Sequence, residues 1–167
     1  MSRAFVKEHD GDSPDDELPE SPVPSGPNFV TPAGLADLQA RLAQAQSDVE
    51  RLRAGDAKET RKPALARARA DVRRWQRRLD AAVLVKAGSG DNGEIAIGMQ
   101  ATIELPDGNR QTFAIVGEDE ADPVNGLVSW ASPLGEALLG KRAGDTALWR
   151  RPAGDVAIRI VSASVRP

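Results

Sequence analysis

The sequence contains no cysteine and no tyrosine. Without cysteine, the chain can form neither a disulfide framework nor a thiolate metal site. Aromatic residues are only 4% of the chain, with three Phe and three Trp, so a pocket lined by aromatic side chains is hard to build. No apolar run is long enough to span a bilayer, and the N-terminus has no signal-peptide pattern. These absences are compatible with a reducing cytoplasm, and we expect a cytoplasmic protein with no membrane contact.

The formal net charge of −3 hides a strong segregation of charge along the chain. Residues 1–30 carry two basic and seven acidic residues, whereas residues 58–78 carry nine basic and two acidic ones. The first 29 residues are also rich in Pro, Ser and Asp, so they can bury too little apolar surface to offset the entropy of ordering. We predict a disordered acidic tail over residues 1–29, in which the single histidine, His9, is solvated.

Apolar residues between positions 30 and 85 recur at spacings of three and four, which is typical of the seam of a coiled coil. When the two halves are read in opposite directions, their seam positions pair around one centre near Lys58 and Glu59. This symmetry predicts an antiparallel coiled coil over residues 30–85, whereas the alternative of two helices in a globular bundle fits the narrow seam less well. The seam residues are Leu35, Leu38, Leu42, Ala45, Val49 and Leu52, then Leu65, Ala68, Val72, Trp75, Leu79 and Ala82.

The ends of the two helices are marked by local signals. Thr31 can cap the first helix with its hydroxyl, and Pro32 suits the first helical position. Gly55 and Asp56 indicate the turn between the helices, and Pro63 is expected in the first turn of the second helix.

A glycine-rich linker over residues 86–96 separates the helices from a region with a period of two. Ser132 and Pro133 indicate the start of a short helix, and Gly140 indicates its end. We predict an α+β domain over residues 97–167, built from one antiparallel sheet and this helix. The predicted strands are Met99–Leu105, Gln111–Val116, Leu127–Trp130, Ala143–Arg150 and Val156–Ala163.

Three motifs in this domain point to a known family. They read IVGEDEAD from Ile115 to Asp122, SWASPLGEALLGK from Ser129 to Lys141, and GD at Gly144 and Asp145. Together they closely resemble the C-terminal domain of the GreA/GreB bacterial transcript-cleavage factors, and the opening MSRAFVKE resembles GreB-like members. The resemblance implies an FKBP-like C-terminal domain and an N-terminal coiled coil. It also implies docking at the secondary channel of RNA polymerase, with the coiled coil inserted towards the active site.

The resemblance assigns a polymerase-binding role to Ala131, Ser132 and Pro133, which match the region that contacts the rim of the channel in that family. Helix initiation by Ser132 and Pro133 is the alternative, and both roles are compatible.

Two carboxylates at the predicted tip, Asp56 and Glu59, match acids that the family is thought to use to hold a second Mg²⁺ beside the polymerase's own metal. Carboxylate oxygens suit Mg²⁺, and a second ion can activate water for attack on a phosphodiester. The same spacing also fits a capping box for the second helix, which needs no metal.

The basic face of the second helix has two interpretations. The first is contact with RNA or with acidic walls of the channel, which salt would weaken. The second is a solvated coiled-coil face whose long side chains cover the seam. The acids of the first helix are too few to neutralise this face, so we favour a partner surface formed by Arg67, Arg73, Arg74 and Arg77.

The resemblance predicts a bacterial elongation factor that binds RNA polymerase, contacts the 3′ end of nascent RNA and acts as a monomer. The protein is not itself an enzyme, because the active site belongs to the polymerase. It has no cofactor of its own, and Mg²⁺ is expected only in the complex with polymerase. The alternative is a short-armed, Rnk-like polymerase binder that modulates transcription without cleavage. A prolyl isomerase is a third class, which the scarcity of aromatic residues disfavours.

Overall fold

A computed structural model describes residues 26–55, 58–86, 88 and 93–166, with the backbone alone for residues 58–60. The predicted tail up to residue 25, Asp56 of the predicted tip and residues 87 and 89–92 of the predicted linker lie outside these residues. The elements are β1 (Asn28–Val30), α1 (Pro32–Ala54), α2 (Lys58–Asp80), β2 (Ala82–Leu84), β3 (Met99–Glu104), β4 (Arg110–Val116), β5 (Leu127–Ser129), α3 (Pro133–Leu138), β6 (Thr146–Trp149) and β7 (Val156–Val165). Two short 3₁₀ helices, Glu118–Glu120 and Pro123–Asn125, lie between β4 and β5.

The first helix begins where the sequence predicts. The Thr31 hydroxyl accepts a hydrogen bond from the Gly34 amide at 3.1 Å, and Pro32 occupies the first turn. Because the first amides of a helix have no partner within it, this cap stabilises the start of α1.

Helices α1 and α2 pack along each other and are called the helical arm below. Arg41 of α1 lies over the ring of Trp75 late in α2, and Arg61 early in α2 donates to the Arg53 carbonyl at the end of α1. The two helices therefore run antiparallel. The buried residues of the predicted seam are Leu38, Leu42, Ala45 and Val49 on α1 and Ala68 on α2.

The base of the arm departs from the prediction. Helix α2 ends at Asp80, so Ala82 is a strand residue and not the last position of the seam. Strand β2 pairs in parallel with β1, which places Asn28 and Phe29 in a strand although the sequence assigned them to the tail. This pairing joins Asn28 to Ala82, and no local pattern reveals a contact between such distant parts of the chain.

The C-terminal residues form a five-stranded sheet in the order β5-β4-β3-β7-β6. All five predicted strands are present, but the sheet is mixed and not wholly antiparallel, because β5 runs parallel to β4. Parallel neighbours need a connection that carries the chain back along the sheet. Residues 117–126 make that connection here, and they include both 3₁₀ helices. The α+β class is confirmed.

The core of this sheet domain lies between the sheet and α3. Ser132 caps α3 by accepting a hydrogen bond from the Gly135 amide at 3.1 Å, and Gly140 follows the helix with a φ of 73°. Ile95, assigned to the linker from sequence, is only 2% exposed and belongs to the core, where its amide donates to the Lys141 carbonyl. Residues of the sheet domain with no exposed surface are Ala101, Ile103, Ile115, Val116, Leu138, Ile158 and Ile160.

Within the described residues, no helix is long and apolar enough to cross a membrane.

Candidate functional site

The segment from Ala131 to Pro133, called the α3 entry loop, leads into α3. Ala131 and Pro133 are exposed, whereas Ser132 is half-buried. The Ser132 hydroxyl donates to the Ser129 carbonyl at 2.6 Å while it accepts from Gly135, so its hydrogen-bonding capacity is largely used within the chain. Ser132 therefore shapes the loop, and the side chains of Ala131 and Pro133 remain accessible.

Trp130, directly before this loop, connects it to the base of the arm. Its amide donates to the Val116 carbonyl at 2.9 Å. Its indole ring meets the ring of Phe29 in β1 edge to face, with centroids 5.4 Å apart. Such aromatic pairs add directional stabilisation to the apolar area that they bury. The entry loop and the strand that leads into α1 are therefore in direct contact through two aromatic side chains.

The four arginines that were predicted to form a partner surface on α2 differ in their exposure. Arg67 and Arg74 are exposed, whereas Arg73 and Arg77 are half-buried, and each of these two makes a contact of its own. The guanidinium of Arg74 lies 4.6 Å from the ring of Trp75. Trp75 is half-buried, and the guanidinium groups of Arg41 and Arg74 both lie over its ring. Arg67 and Arg74 are therefore the more accessible cations of this face.

The predicted pairing of Asp56 with Glu59 at the tip falls outside what the structure describes. Asp56 lies outside the described residues, and Glu59 belongs to the first turn of α2, where only the backbone is described. Arg61, two residues further on, donates to the Gly55 carbonyl. A guanidinium group is therefore bound at the end of the arm that carries these acids. Helix α2 begins at Lys58, so Pro63 lies inside the helix and not in its first turn.

The acidic 3₁₀ helix Glu118–Glu120, called the acidic turn, contacts the base of the arm. The Glu120 carboxylate accepts hydrogen bonds from both the amide and the hydroxyl of Thr31, the cap of α1. The same carboxylate accepts from the Gly117 amide at 3.2 Å. An anionic group at this position also interacts favourably with the positive end of the α1 dipole. Glu120 thus binds the first turn of α1 to the sheet domain.

Arg78, near the end of α2, is the second attachment. Its side chain is only 7% exposed, and its Nε donates to Asp119 Oδ2 at 2.7 Å. Its Nη2 lies 3.3 Å from Glu118 Oε2 and donates to Asn28 Oδ1 at 2.9 Å. The Asn28 amide nitrogen in turn donates to the Arg78 carbonyl at 3.0 Å. This buried cation is therefore paired with two carboxylates of the acidic turn and with the side-chain amide of Asn28 in β1.

Two glycines permit this close approach of arm and sheet domain. A Cβ added at Gly34 would clash with the Glu120 side chain, and one added at Gly117 would clash with the Phe29 carbonyl. We call the set of contacts at the base of the arm the joint. It comprises Asn28, Phe29, Thr31, Gly34, Arg78, Gly117, Glu118, Asp119, Glu120 and Trp130.

Sequence reasoning missed the joint. It counted Arg78 as one of nine basic residues, and it used the residues of the acidic turn as part of a family motif. In the structure, Arg78 and the acidic turn are paired with each other. No local signal would have found this pairing, because Arg77 and Arg78 both lie in the last turn of α2 and the acceptors belong to a distant segment of the chain.

Comparison with known proteins gives a consistent result. Residues 90–164 match the family model described as "Transcription elongation factor, GreA/GreB, C-term". The transcription elongation factor GreA of Chloroflexus aurantiacus (strain J-10-fl) is 33% identical over 150 residues, which are 81% of this chain and 96% of that protein.

GreA of Listeria monocytogenes serotype 4a is 41% identical over 80 residues, which are 47% of this chain. That match spans only 50% of the length of the Listeria protein. Among solved structures, the GreA factor homolog 1 (Gfh1) of Thermus thermophilus is 29% identical, with 83% of this chain and 99% of that chain covered and a TM-score of 0.40.

Proposed function

Because the chain belongs to the GreA/GreB family of transcription elongation factors, we propose that it binds RNA polymerase at the secondary channel and inserts the helical arm towards the active site. The observation that carries this proposal is the arm itself. Two helices of 23 residues pack on each other, and the contacts of the joint all lie at one end of them. The arm is about 34 Å long at about 1.5 Å per residue, which suits insertion into a narrow channel.

In this proposal the arm is an antiparallel coiled coil, and the sheet domain has the FKBP-like fold of the family. The protein acts as a monomer in the bacterial cytoplasm. It is an accessory factor, because any hydrolysis of RNA takes place in the active site of the polymerase. It needs no cofactor of its own.

The α3 entry loop supplies the docking contact. Ala131 and Pro133 offer small, accessible apolar side chains, and Ser132 holds the loop between them in shape. Because the loop is fixed by hydrogen bonds before the partner arrives, little conformational entropy is lost on binding.

The exposed arginines of α2 supply a second contact. Arg67 and Arg74 are accessible on the arm, so they can reach RNA or acidic walls of the channel once the arm is inserted. Arg73 and Arg77 contribute to the same field from half-buried positions. Contacts of this kind steer association and weaken with added salt.

The tip supplies carboxylates to the polymerase. Asp56 and Glu59 are the residues that would hold Mg²⁺ together with the polymerase near the 3′ end of backtracked RNA. A second Mg²⁺ at such a place supplies Lewis-acid activation of water for phosphodiester cleavage.

A second candidate is a short-armed factor that binds the polymerase and modulates transcription without cleavage. The contact of Arg61 with the Gly55 carbonyl favours it. A guanidinium group at this end of the arm opposes the binding of a divalent cation, since like charges repel.

One assay separates the two candidates. Backtracked elongation complexes are incubated with the protein and Mg²⁺, and RNA length and polymerase binding are measured together. Shortening of the RNA that is lost in Asp56→Ala and Glu59→Ala supports cleavage, with Glu50→Ala, an exposed acid on the shaft of the arm, as the matched control. Tight binding with unchanged RNA supports the short-armed factor, and absence of binding contradicts both.

A further inference from the structure

We propose that the joint sets the direction of the helical arm relative to the α3 entry loop, with Arg78 and Glu120 as its positioning residues. This inference rests on the proposed function for its consequence at the polymerase. The direction itself is a property of the free chain and can be measured without the polymerase.

Arg78 binds α2 to the sheet domain through several bonds of different direction. Two of them end on carboxylates of the acidic turn, and a third ends on Asn28 of β1. Since the guanidinium group is planar and its donors point in fixed directions, bonds to several acceptors restrict rotation as well as distance. A lysine at this position offers a point charge and does not reproduce that geometry.

Glu120 binds α1 to the same turn. Its carboxylate accepts from the amide and the hydroxyl of Thr31, while the acidic turn that carries it is held by Gly117 of its own loop. The two helices of the arm are therefore attached to one short segment, α1 through Glu120 and α2 through Asp119. Two separate attachments fix the tilt of a rod, which a single attachment leaves free.

The contacts of the joint extend to the α3 entry loop, which is the proposed docking surface. Phe29, two residues before the cap of α1, packs on Trp130, and Trp130 directly precedes Ala131 of the entry loop. The arm, the acidic turn and the entry loop thus form one continuous set of contacts. A partner bound at Ala131 and Pro133 consequently receives the arm in a defined direction.

The length of the arm makes this direction matter. A rod of about 34 Å moves its tip by about 6 Å for a tilt of about 10° at its base. Misplacement of a reacting group by about 1 Å can lower a rate by about a hundredfold. A loosened joint therefore affects events at the tip far more than it affects docking.

The absence of cysteine makes the test direct, because two introduced cysteines are the only thiols in the chain. Ser47→Cys on α1 and Ser162→Cys on β7, both at exposed positions, carry spin labels in the full-length protein. Pulsed electron paramagnetic resonance then gives the distribution of distances between arm and sheet domain.

We expect a single narrow distribution in the parent protein and one at least twofold broader in Arg78→Ala and in Glu120→Gln. Arg51→Ala is the matched control, because its side chain is 75% exposed on the arm, and it leaves the distribution unchanged. If Arg78→Ala does not fold, as judged by circular dichroism, the near-isosteric Glu120→Gln decides. A distribution in the folded variants as narrow as in the parent overturns the inference.

At the polymerase, we expect a loosened joint to lower the maximal rate of RNA shortening while the affinity for polymerase changes little. If the parent shortens RNA, Glu120→Gln retains a half-saturating concentration within about threefold and loses at least tenfold of the maximal rate. An equal loss of affinity and of maximal rate indicates a merely structural role and overturns the positioning role. If the parent does not bind polymerase, the proposed function fails, while the distance distributions still decide whether the joint sets the arm's direction.

Discussion

The shaft of the helical arm and its base use arginine in opposite ways. On the shaft, Arg67 and Arg74 are exposed, and they are available to a partner. At the base, Arg78 is buried and its donors end on groups of the same chain. The three residues belong to one helix and one run of positive charge, so charge density in the sequence does not distinguish a binding residue from a structural one. Burial and the identity of the acceptors make that distinction.

The largest expected difference in stability between the two kinds of arginine comes from removing the buried cation, Arg78. Arg78→Ala leaves Asp119 and Glu118 without their cation, and the loss of one partner of a buried pair costs about 3 kcal/mol of the free energy of unfolding. Arg51→Ala, an exposed arginine of the same arm, changes it by less than about 0.5 kcal/mol. Urea denaturation of both variants measures the difference. Equal stabilities would show that the buried and exposed arginines are energetically alike.

Removal of the cap of α1, at the same base of the arm, should lower the free energy of unfolding by a smaller amount. Thr31→Ala removes the acceptor for the Gly34 amide and the hydroxyl donor to Glu120, with an expected loss of about 1 kcal/mol. A double-mutant cycle with Glu120→Gln tests whether cap and carboxylate act as one unit. Ser132→Ala, the corresponding cap of α3, is the control, since its hydroxyl bonds to Ser129 and Gly135. Additive losses for Thr31 and Glu120 would contradict the coupling.

Substitution of the exposed arginines should lower the affinity for polymerase and leave the free energy of unfolding unchanged. Combined Arg67→Ala and Arg74→Ala substitutions should leave the free energy of unfolding within about 0.5 kcal/mol of the parent value. Polymerase affinity should fall, and the slope of log affinity against log salt should become shallower by about one unit for each RNA phosphate that the variant no longer neutralises. Titrations at several salt concentrations measure this slope. An unchanged slope argues against a role of this face in binding.

The smallest effect is expected on the sheet, far from the arm. Hydrogen bonds from Arg159 and then Arg110 lower the pKa of Glu104 below its usual range. Because its pKa is lowered in the folded state, Glu104 contributes stability above its unfolded pKa and loses that contribution as pH falls through its folded pKa. Glu104→Gln should therefore be slightly less stable at neutral pH, and the difference should vanish in acid. A difference that persists at the lowest pH would contradict this assignment.

Much of the fold followed from local signals in the sequence. The cap at Thr31, the seam from Leu38 to Val49 and the cap at Ser132 were all recognisable, because each depends on residues within a few positions of one another. The period of two in the C-terminal half predicted every strand of the larger sheet. The family was recognisable from motifs between Ile115 and Asp145.

The features that the sequence did not reveal depend on distant contacts. The pairing of β1 with β2 and the pairing of Arg78 with Asp119 each join segments that are far apart in the chain. The parallel direction of β5 depends on the path that residues 117–126 take in three dimensions. No local pattern distinguishes Arg78 from its neighbour Arg77. Asp56 and the acidic tail lie outside the described residues, and their predicted roles stay predictions.

The single parallel neighbour in the sheet has a consequence for how this architecture can vary. Because β5 runs in the same direction as β4, the chain must travel back between them, and residues 117–126 are that return path. A tight hairpin at this place would leave no segment beneath the two helices. We therefore expect an insertion or deletion of a few residues in this return path to change the direction of the helical arm while the strands keep their register.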